Sequence, residues 1–313
     1  MARRPLDVAL PDLTGKRIVL TGGSDGMGLV IATRLAAAGA ELILPVRNPR
    51  KGEAALATIR ERAPKAAVSL RDLDLSSLES VAALGETLRS EGDPIHVLIG
   101  NAGIMHPPER QTTKDGFELQ FGTNHLGHAA LIGHLLPLLR AGEARVTLQI
   151  SIAANQGAMN WDDPNWERSY DSMGAYSHSK IAFGLFGLEL DRRSREAGWG
   201  ITANLSHPGV APTSLLDVRP EIGRTRAVRA RGLITLLSRV GILGTVASAG
   251  LPALMAATAP GDQGGKFFGP SGFRGLGGAP SEQRLYSRLR SAEDARRVWD
   301  LTQQLTRVPF PTE

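Results

Sequence analysis

The 313-residue sequence contains no cysteine. That excludes disulfides, thiolate nucleophiles, cysteine-bound zinc and iron–sulfur ligation, and leaves the redox compartment unreadable from thiols. Lysine is scarce: only six of the 36 cationic side chains are lysine. Against 31 carboxylates the net charge is +5, modest for this length, and reads as a bias toward arginine. Aromatic residues make up only 5% and never interleave with a cationic cluster, which argues against a nucleic-acid module. No apolar run approaches ~18 residues, so no transmembrane helix is expected. The N-terminus carries Arg3 and Arg4 but no apolar stretch of signal-peptide length. A cytoplasmic protein without an integral membrane segment is the expectation.

What is present is an alternation. Short apolar runs at residues 16–21, 41–46, 67–73, 95–99, 145–150, 201–206 and 266–268 read as strands. Between them, residues 29–39, 47–63, 76–90, 117–139, 174–197 and 245–257 have helical spacing. Near-continuous apolar strands alternating with helices imply an α/β, doubly wound sheet of about seven parallel strands, covered on both faces. With 42% hydrophobic residues and no evident linker or repeat, residues 1–313 are expected to form a single domain. Two long stretches, 153–172 and 209–230, interrupt the rhythm. Both follow strands, which puts them at the carboxyl edge where open α/β sheets bind ligands. The first contains Trp161 and Trp166, which would serve either as a lid or as loop anchors. The second contains Arg219, Arg224, Arg226 and Arg229. Residues 260–280 are glycine-rich and read as loop around the last strand; 281–290 and 291–305 read as a C-terminal helical extension.

Chemistry enters at the first strand–helix junction, TGGSDGMG (21–28). Gly22 permits a tight exit from the strand, Gly26 lets backbone approach a pyrophosphate, and Gly28 allows close helix–sheet packing. The helix N-terminus offers free N–H groups and the positive end of its dipole to phosphates. The pattern alone is weak, but its position at the first βα junction points to a Rossmann-like dinucleotide fold. Arg47 ends the second strand, where a carboxylate would hold the ribose hydroxyl of NAD and an arginine suits the 2′-phosphate of NADP. Asp25 supplies the opposite sign nearby, and is expected to cap the following helix. At the start of a later helix, YSHSK puts Tyr176 and Lys180 on one face, where the ammonium would favour the phenolate and suit the phenol to acid/base work.

Together these residues resemble the short-chain dehydrogenase/reductase family, in its retinol-dehydrogenase-like branch, over roughly residues 14–270. Six motifs occur in order. The glycine loop implies cofactor contacts from Gly22, Ser24, Asp25, Gly26, Met27 and Gly28. Asp74 and Leu75 resemble the pair that holds the adenine, and Asn101, Ala102 and Gly103 the family's NAG turn. Asn124 in NHLGH and Ser151 match the active-site asparagine and serine. Pro208, Gly209, Val210 and Thr213 match the segment beside the nicotinamide. The departures are Gly100 for an asparagine, which would loosen a sheet contact, and Ile150 for a serine; the N-terminal membrane anchor of many animal relatives is not expected.

The resemblance implies NADP(H) as preferred cofactor, with NAD(H) second, and a small-molecule carbonyl or alcohol as substrate. Tyr176 would be the acid/base, Lys180 would lower its pKa and hold the ribose, Ser151 would bind the substrate oxygen, and Asn124 would anchor a water relay. A homodimer or homotetramer is open, with Gly184 and Gly187 permitting close approach of another helix. His125, His128 and His134 lack acidic or cysteine partners in sequence and read as packing residues, with no metal expected; His178 points off the Tyr176/Lys180 face. The competing reading is a catalytically silent NADP(H) sensor or interaction module. A nucleotide-sugar epimerase of the wider superfamily and a basic nucleic-acid binder fit less well.

Overall fold

The computed structural model describes residues 6–228 and 230–311; Arg229 lies outside them. The chain begins with β1 (Arg17–Leu20), α1 (Gly26–Ala37), β2 (Glu41–Val46), α2 (Pro49–Arg62), β3 (Val68–Asp72), α3 (Leu78–Glu91) and β4 (Val97–Gly100). It continues through α4 (Leu119–Phe121), a π-helical turn (Gly122–Leu126), α5 (Gly127–Ala141), β5 (Arg145–Gln149), α6 (Ser172–Ala197) and β6 (Thr202–Ser206). The last part holds α7 (Arg231–Arg239), α8 (Val246–Ala249), α9 (Leu251–Thr258), β7 (Phe267–Pro270), β8 (Pro280–Gln283) and α10 (Ala292–Thr306).

The strands form one sheet in the order β3-β2-β1-β4-β5-β6-β7-β8. Ile18 pairs with Leu42 on one side and Val97 on the other, which fixes β1 in the middle of the sheet. Every residue of β1 and β4 is buried, as a parallel sheet covered on both faces requires. One apolar layer gathers α3, α5, α6 and α10 around residues such as Leu131, Phe186 and Trp299. The other covers the opposite face, with α1 against β2 and α9 against β4 to β8, around Leu20, Ile31 and Leu254.

The seven expected parallel strands are present, and an eighth joins them at the edge. β8 runs antiparallel to β7, with Phe267 opposite Gln283, in a stretch read as loop and helix from sequence. Its residues, PSEQ, are polar and only half covered, so this edge strand carries no apolar run to announce it. Residues 281–290 hold the end of this strand and a short 3-10 turn at Ser287–Leu289 in place of a helix. The helix α7 falls in a stretch given no element from sequence. The span 245–257 divides at Gly250, where a Cβ would come within 2.9 Å of Ile31.

The span 117–139 is also divided. A Cβ at Gly127 would overlap the Leu75 carbonyl, so the helix touches the exit of β3 backbone to backbone, and the π-turn precedes that contact. Gly184 and Gly187 seat α6 within its own chain: their missing Cβ atoms leave room for Leu289 (2.9 Å) and Leu148 (2.6 Å). The expected approach of another helix there is corrected. Gly100 likewise tightens the fold, since a Cβ would lie 2.9 Å from the Phe183 ring.

Candidate functional site

Strand order reverses between β1 and β4, and at that switch point the carboxyl ends of the strands diverge around a crevice. A cavity of about 1150 Å³ opens there. The glycine loop, the exits of β2 and β3, the turn after β4 and the start of α6 line it, and residues 213–221 cover it.

The glycine loop is held by packing. Gly22 has φ +68°, and a Cβ there would meet the Ala102 backbone at 2.8 Å; one on Gly28 would overlap the Gly22 carbonyl. Thr21 fixes the neighbouring turn: its hydroxyl accepts from the N–H groups of Asn101 (2.9 Å) and Ala102 (3.0 Å) and bonds His128 Nε2 at 2.9 Å. His128 donates from Nδ1 to the Asn124 carbonyl, so the ring bridges the loop to the π-turn. Burial pushes its pKa down to about 3, in keeping with a neutral ring.

Asp25 occupies the N-cap position of α1, but its side chain makes no cap hydrogen bond. It faces Lys51 Nζ at 3.6 Å instead, both side chains being largely exposed. The expected cap is therefore corrected: the first turn of α2 delivers an ammonium, and that charge takes the carboxylate. The leading N–H groups of α1 are left without a side-chain cap at the cavity wall, where Met27 and Gly28 stand. Asn101 Oδ1 and Thr123 Oγ1, from two cavity-lining residues, are buried without a partner. An uncapped helix start and orphaned polar atoms on one cavity fit a phosphate-bearing nucleotide.

The exits of β2 and β3 supply the far end. Arg47, Arg50 and Lys51 line the cavity, as do Asp74 and Leu75. Asp74 uses its carboxylate to accept from the Ser76 N–H (3.0 Å) and hydroxyl (2.6 Å). A carboxylate does reach the Arg47 corner, but from residue 221. Burial raises the Glu221 pKa, while its own backbone N–H, Arg219 and Arg47 together pull it below the usual value.

At the near end Tyr176 and Lys180 both line the cavity and both are buried. Ser151, in the turn after β5, sits close enough to the Tyr176 phenol to oppose the rise in its pKa, but lies outside the cavity lining. Lys180 Nζ donates to the Gln149 carbonyl at 2.9 Å. The electrostatic balance differs from the sequence reading. Burial raises the Tyr176 pKa, with only the Ser151 hydroxyl opposing it, and burial lowers Lys180 to about 8. Desolvation dominates because both groups lie deep in the protein. Asn124 stands just behind Gly103: its Oδ1 accepts from the Ile104 N–H (2.8 Å), and its Nδ2 donates to the Ile104 carbonyl and to Ser179, both at 3.0 Å.

Ser24, Ala102, Gly103, Pro208 and Thr213 also line the cavity, whereas Gly209 and Val210 fall outside its lining. Val210 is taken by backbone hydrogen bonds to Leu276 (2.8 Å) and Gly244 (2.9 Å). Gly26 approaches from behind, its missing Cβ leaving 3.2 Å to Ser214 Oγ. Trp161 and Trp166 lie outside the lining too. Arg297 covers the Trp161 ring at 4.0 Å, and Trp166 meets Tyr170 and His178 edge-on, so both anchor their loop. His178 Nδ1 accepts from the Asn160 N–H (3.0 Å), His125 bonds Thr302 (2.8 Å), and His134 packs on Gly85. Sequence reasoning passed over Thr21, Lys51, Gln149 and Glu221. Thr21 directly follows β1, Lys51 lies in the first turn of α2 and Gln149 ends β5, positions at the carboxyl edge of the sheet; nothing local marks Glu221.

A family profile described as short chain dehydrogenase matches residues 16–221. Human retinol dehydrogenase 13 is 42% identical over 205 residues, 65% of this chain and 61% of that protein. Mouse retinol dehydrogenase 14 is 32% identical over 309 residues, 94% of this chain and 86% of the relative. The match thus covers less than two thirds of the human protein's length. Among solved structures, an uncharacterized protein from Mycobacterium paratuberculosis superposes with a TM-score of 0.77 at 35% identity, covering 96% of this chain and 97% of the other. Among the described residues no helix is long and apolar enough to cross a membrane.

Proposed function

The chain belongs to the short chain dehydrogenase family, and on that premise we propose that it is an NADP(H)-dependent oxidoreductase acting on a hydrophobic carbonyl or alcohol. One observation carries the reading: a single cavity joins the glycine loop and Arg47 to the buried Tyr176/Lys180 pair. A binding module would need the first half of that wall but not the second.

The uncapped start of α1 and the Gly22–Gly28 loop would hold the pyrophosphate, Asp74 and Leu75 the adenine, and Arg47 a 2′-phosphate. Asn101, Ala102, Gly103, Pro208 and Thr213 would line the remainder. The nicotinamide, when bound, supplies or accepts the hydride. Tyr176 would give its phenolic proton to the substrate oxygen in reduction and take it back in oxidation. Ser151, beside that phenol, would donate to the same oxygen as charge develops on it. Lys180, anchored on the Gln149 carbonyl, would hold the ribose and pass protons to and from the phenol. Asn124 would position rather than react, since its amide is committed to Ile104 and Ser179. Aliphatic Ile104, Ile150, Leu215 and Val218 in the cavity wall favour an apolar substrate. The test follows reduced-nicotinamide absorbance with NADPH and NADH against a panel of aldehydes and ketones. Turnover, fastest with NADPH and the more apolar carbonyls, is expected; tight NADPH binding with no turnover on any of them would favour the silent sensor.

A further inference from the structure

The region after the cavity cover has an inverted surface. Helix α7, RGLITLLSR, turns Leu233 and Leu236 to solvent at 59% and 57% exposure, and Val240 and Ile242 just beyond it are equally open. Residues 233, 236 and 240 recur at i, i+3 and i+7, so these aliphatics form one stripe. Ser238 faces inward and is spent on the Gly244 carbonyl. Monomeric proteins seldom leave an aliphatic stripe of this kind uncovered without a use for it.

The stretch that contains the stripe is cationic, and the carboxylates beside it, Asp217 and Glu221, are paired with Arg231 and Arg219. From Ile222 to Gly261 the sequence contains five arginines and not one aspartate or glutamate. Arg224 is consumed inside, donating to the Met105, Leu215 and Asp217 carbonyls. Arg226 and Arg239 are exposed and, among the described residues, in no ion pair. The stripe also adjoins the cavity. Arg231, the first residue of α7, is ion-paired with Asp217 in the cavity wall, and half-exposed Val218 belongs to both wall and surface. Phe273, 78% exposed with Arg274 over its ring, rides on a loop hydrogen-bonded through Leu276 to Val210 and on to Gly244.

We propose that α7 and its flanking arginines are an interfacial docking surface for an anionic lipid bilayer, seating the cavity mouth at the membrane surface. Aliphatic side chains rimmed by guanidinium groups match an acyl boundary beneath anionic headgroups. A second copy of the chain fits less well, because a two-fold contact would set Arg226 and Arg239 against a surface whose nearby carboxylates, Asp217 and Glu221, are already paired with Arg231 and Arg219. The proposal concerns binding and is independent of what the cavity turns over.

Co-sedimentation of the full chain with phosphatidylcholine vesicles, with and without phosphatidylglycerol, tests it. The wild type should pellet with the anionic vesicles, be released by salt, and remain largely in solution with phosphatidylcholine alone. Arg226→Gln/Arg239→Gln should weaken the association about thirtyfold, at about 1 kcal/mol per arginine near an anionic surface. Leu233→Ser/Leu236→Ser should lose it by at least about tenfold. Circular dichroism melting shows whether each variant is folded, and the arginine pair keeps the test decisive should the leucine pair fail to fold. No sedimentation of the wild type would overturn the proposal, as would anionic binding that ignores the leucine pair, which is adsorption by charge alone. Gel filtration showing a wild-type oligomer that the leucine pair dissociates, with no vesicle binding, would assign the stripe to a second copy.

Discussion

The glycine loop with its flanking strands and the segment from residue 209 to 283 contribute to one sheet and one cavity, yet they are built by different rules. In the first, backbone packs on backbone: Gly28 on the Gly22 carbonyl, Gly127 on the Leu75 carbonyl, Gly22 on Ala102. In the second, backbone contact is confined to the turns around β7, where Gly209 meets the Leu276 carbonyl and Gly272 the Gly277 carbonyl; Gly232 and Gly261 have nothing within 4 Å of where a Cβ would stand, helices are short, and aliphatic side chains of α7 face solvent. The difference separates a cradle that must hold its shape from a cover with few buried contacts, the kind of region that opens at lower free energy. Chemistry should therefore be lost by changes in the cradle, while the cover should tolerate or even welcome the same substitutions.

The largest expected effect is at the cradle's floor. Tyr176→Phe keeps the ring's packing but removes the proton, and kcat should fall by about three orders of magnitude. NADP(H) affinity, set by other residues, should stay close to wild type. Comparable kcat for the two proteins in steady-state assays would remove Tyr176 from the mechanism.

Next comes one substitution made in both regions. Gly28→Ala places a Cβ against a backbone oxygen that no side chain can vacate, and should cost about 3 kcal/mol or more, or prevent folding. Gly232→Ala sits in open space within α7 and should stabilise by up to about 1 kcal/mol, the helix-propensity difference. Chemical denaturation of both variants measures the pair. Equal destabilisation would erase the contrast between cradle and cover.

How much was legible follows the same line. The cradle could be read from sequence because steric demand there selects residue types: glycine where backbones touch, Tyr and Lys one helical turn apart. The cover could not. β8 is four half-covered polar residues, and its place in the sheet is set by pairing with Phe267–Pro270 and not by its own pattern. α7 was missed although its leucines and isoleucine recur at helical spacing, because it is only nine residues long and follows directly on a stretch read as a long loop. The Asp25 cap failed for a third reason: the competing Lys51 arrives from another element, and spacing along the chain says nothing of it.

Buried histidines give a smaller, graded effect. Burial is the chief cause lowering His125 and His128 to about 3, and His178 and His207 to about 4, from 6.5. The unfolded chain therefore binds more protons between these values and 6.5, and stability falls as pH drops through that window, by about 2 kcal/mol per ring by roughly pH 5. Glu118, whose carboxyl burial raises, works in the opposite sense. Three of the four rings stand on α5 and α6 or in the π-turn, so the acid sensitivity belongs chiefly to the framework beneath the cradle. Thermal melts across pH should show His178→Gln with a shallower acid slope than wild type; an unchanged slope would mean that His178 titrates normally.

The subtlest expectation concerns the rim where the two regions meet. Arg47 and Lys51 come from the cradle, and Arg219 and Glu221 from the cover, all on one cavity wall. A guanidinium there can grip a 2′-phosphate through charge-assisted hydrogen bonds, so Arg47→Ala should weaken NADP(H) binding by about tenfold or more and leave NAD(H) nearly untouched. Asp25 acts more weakly and with the opposite sign. Its carboxylate caps nothing and holds Lys51 at 3.6 Å, so Asp25→Ala frees an ammonium at the phosphate corner and removes a negative charge. NADP(H) affinity should rise a few-fold, less than the Arg47 effect because both partners are solvated and salt-screened. Glu221→Gln should move it the same way if the cover's carboxylate competes with the phosphate for Arg47. Titrating both cofactors against the three variants separates the contributions. Tighter wild-type binding of NAD(H) would reject NADP(H) as the preferred cofactor, and a fall in affinity on Asp25→Ala would show that its carboxylate supports the loop after all.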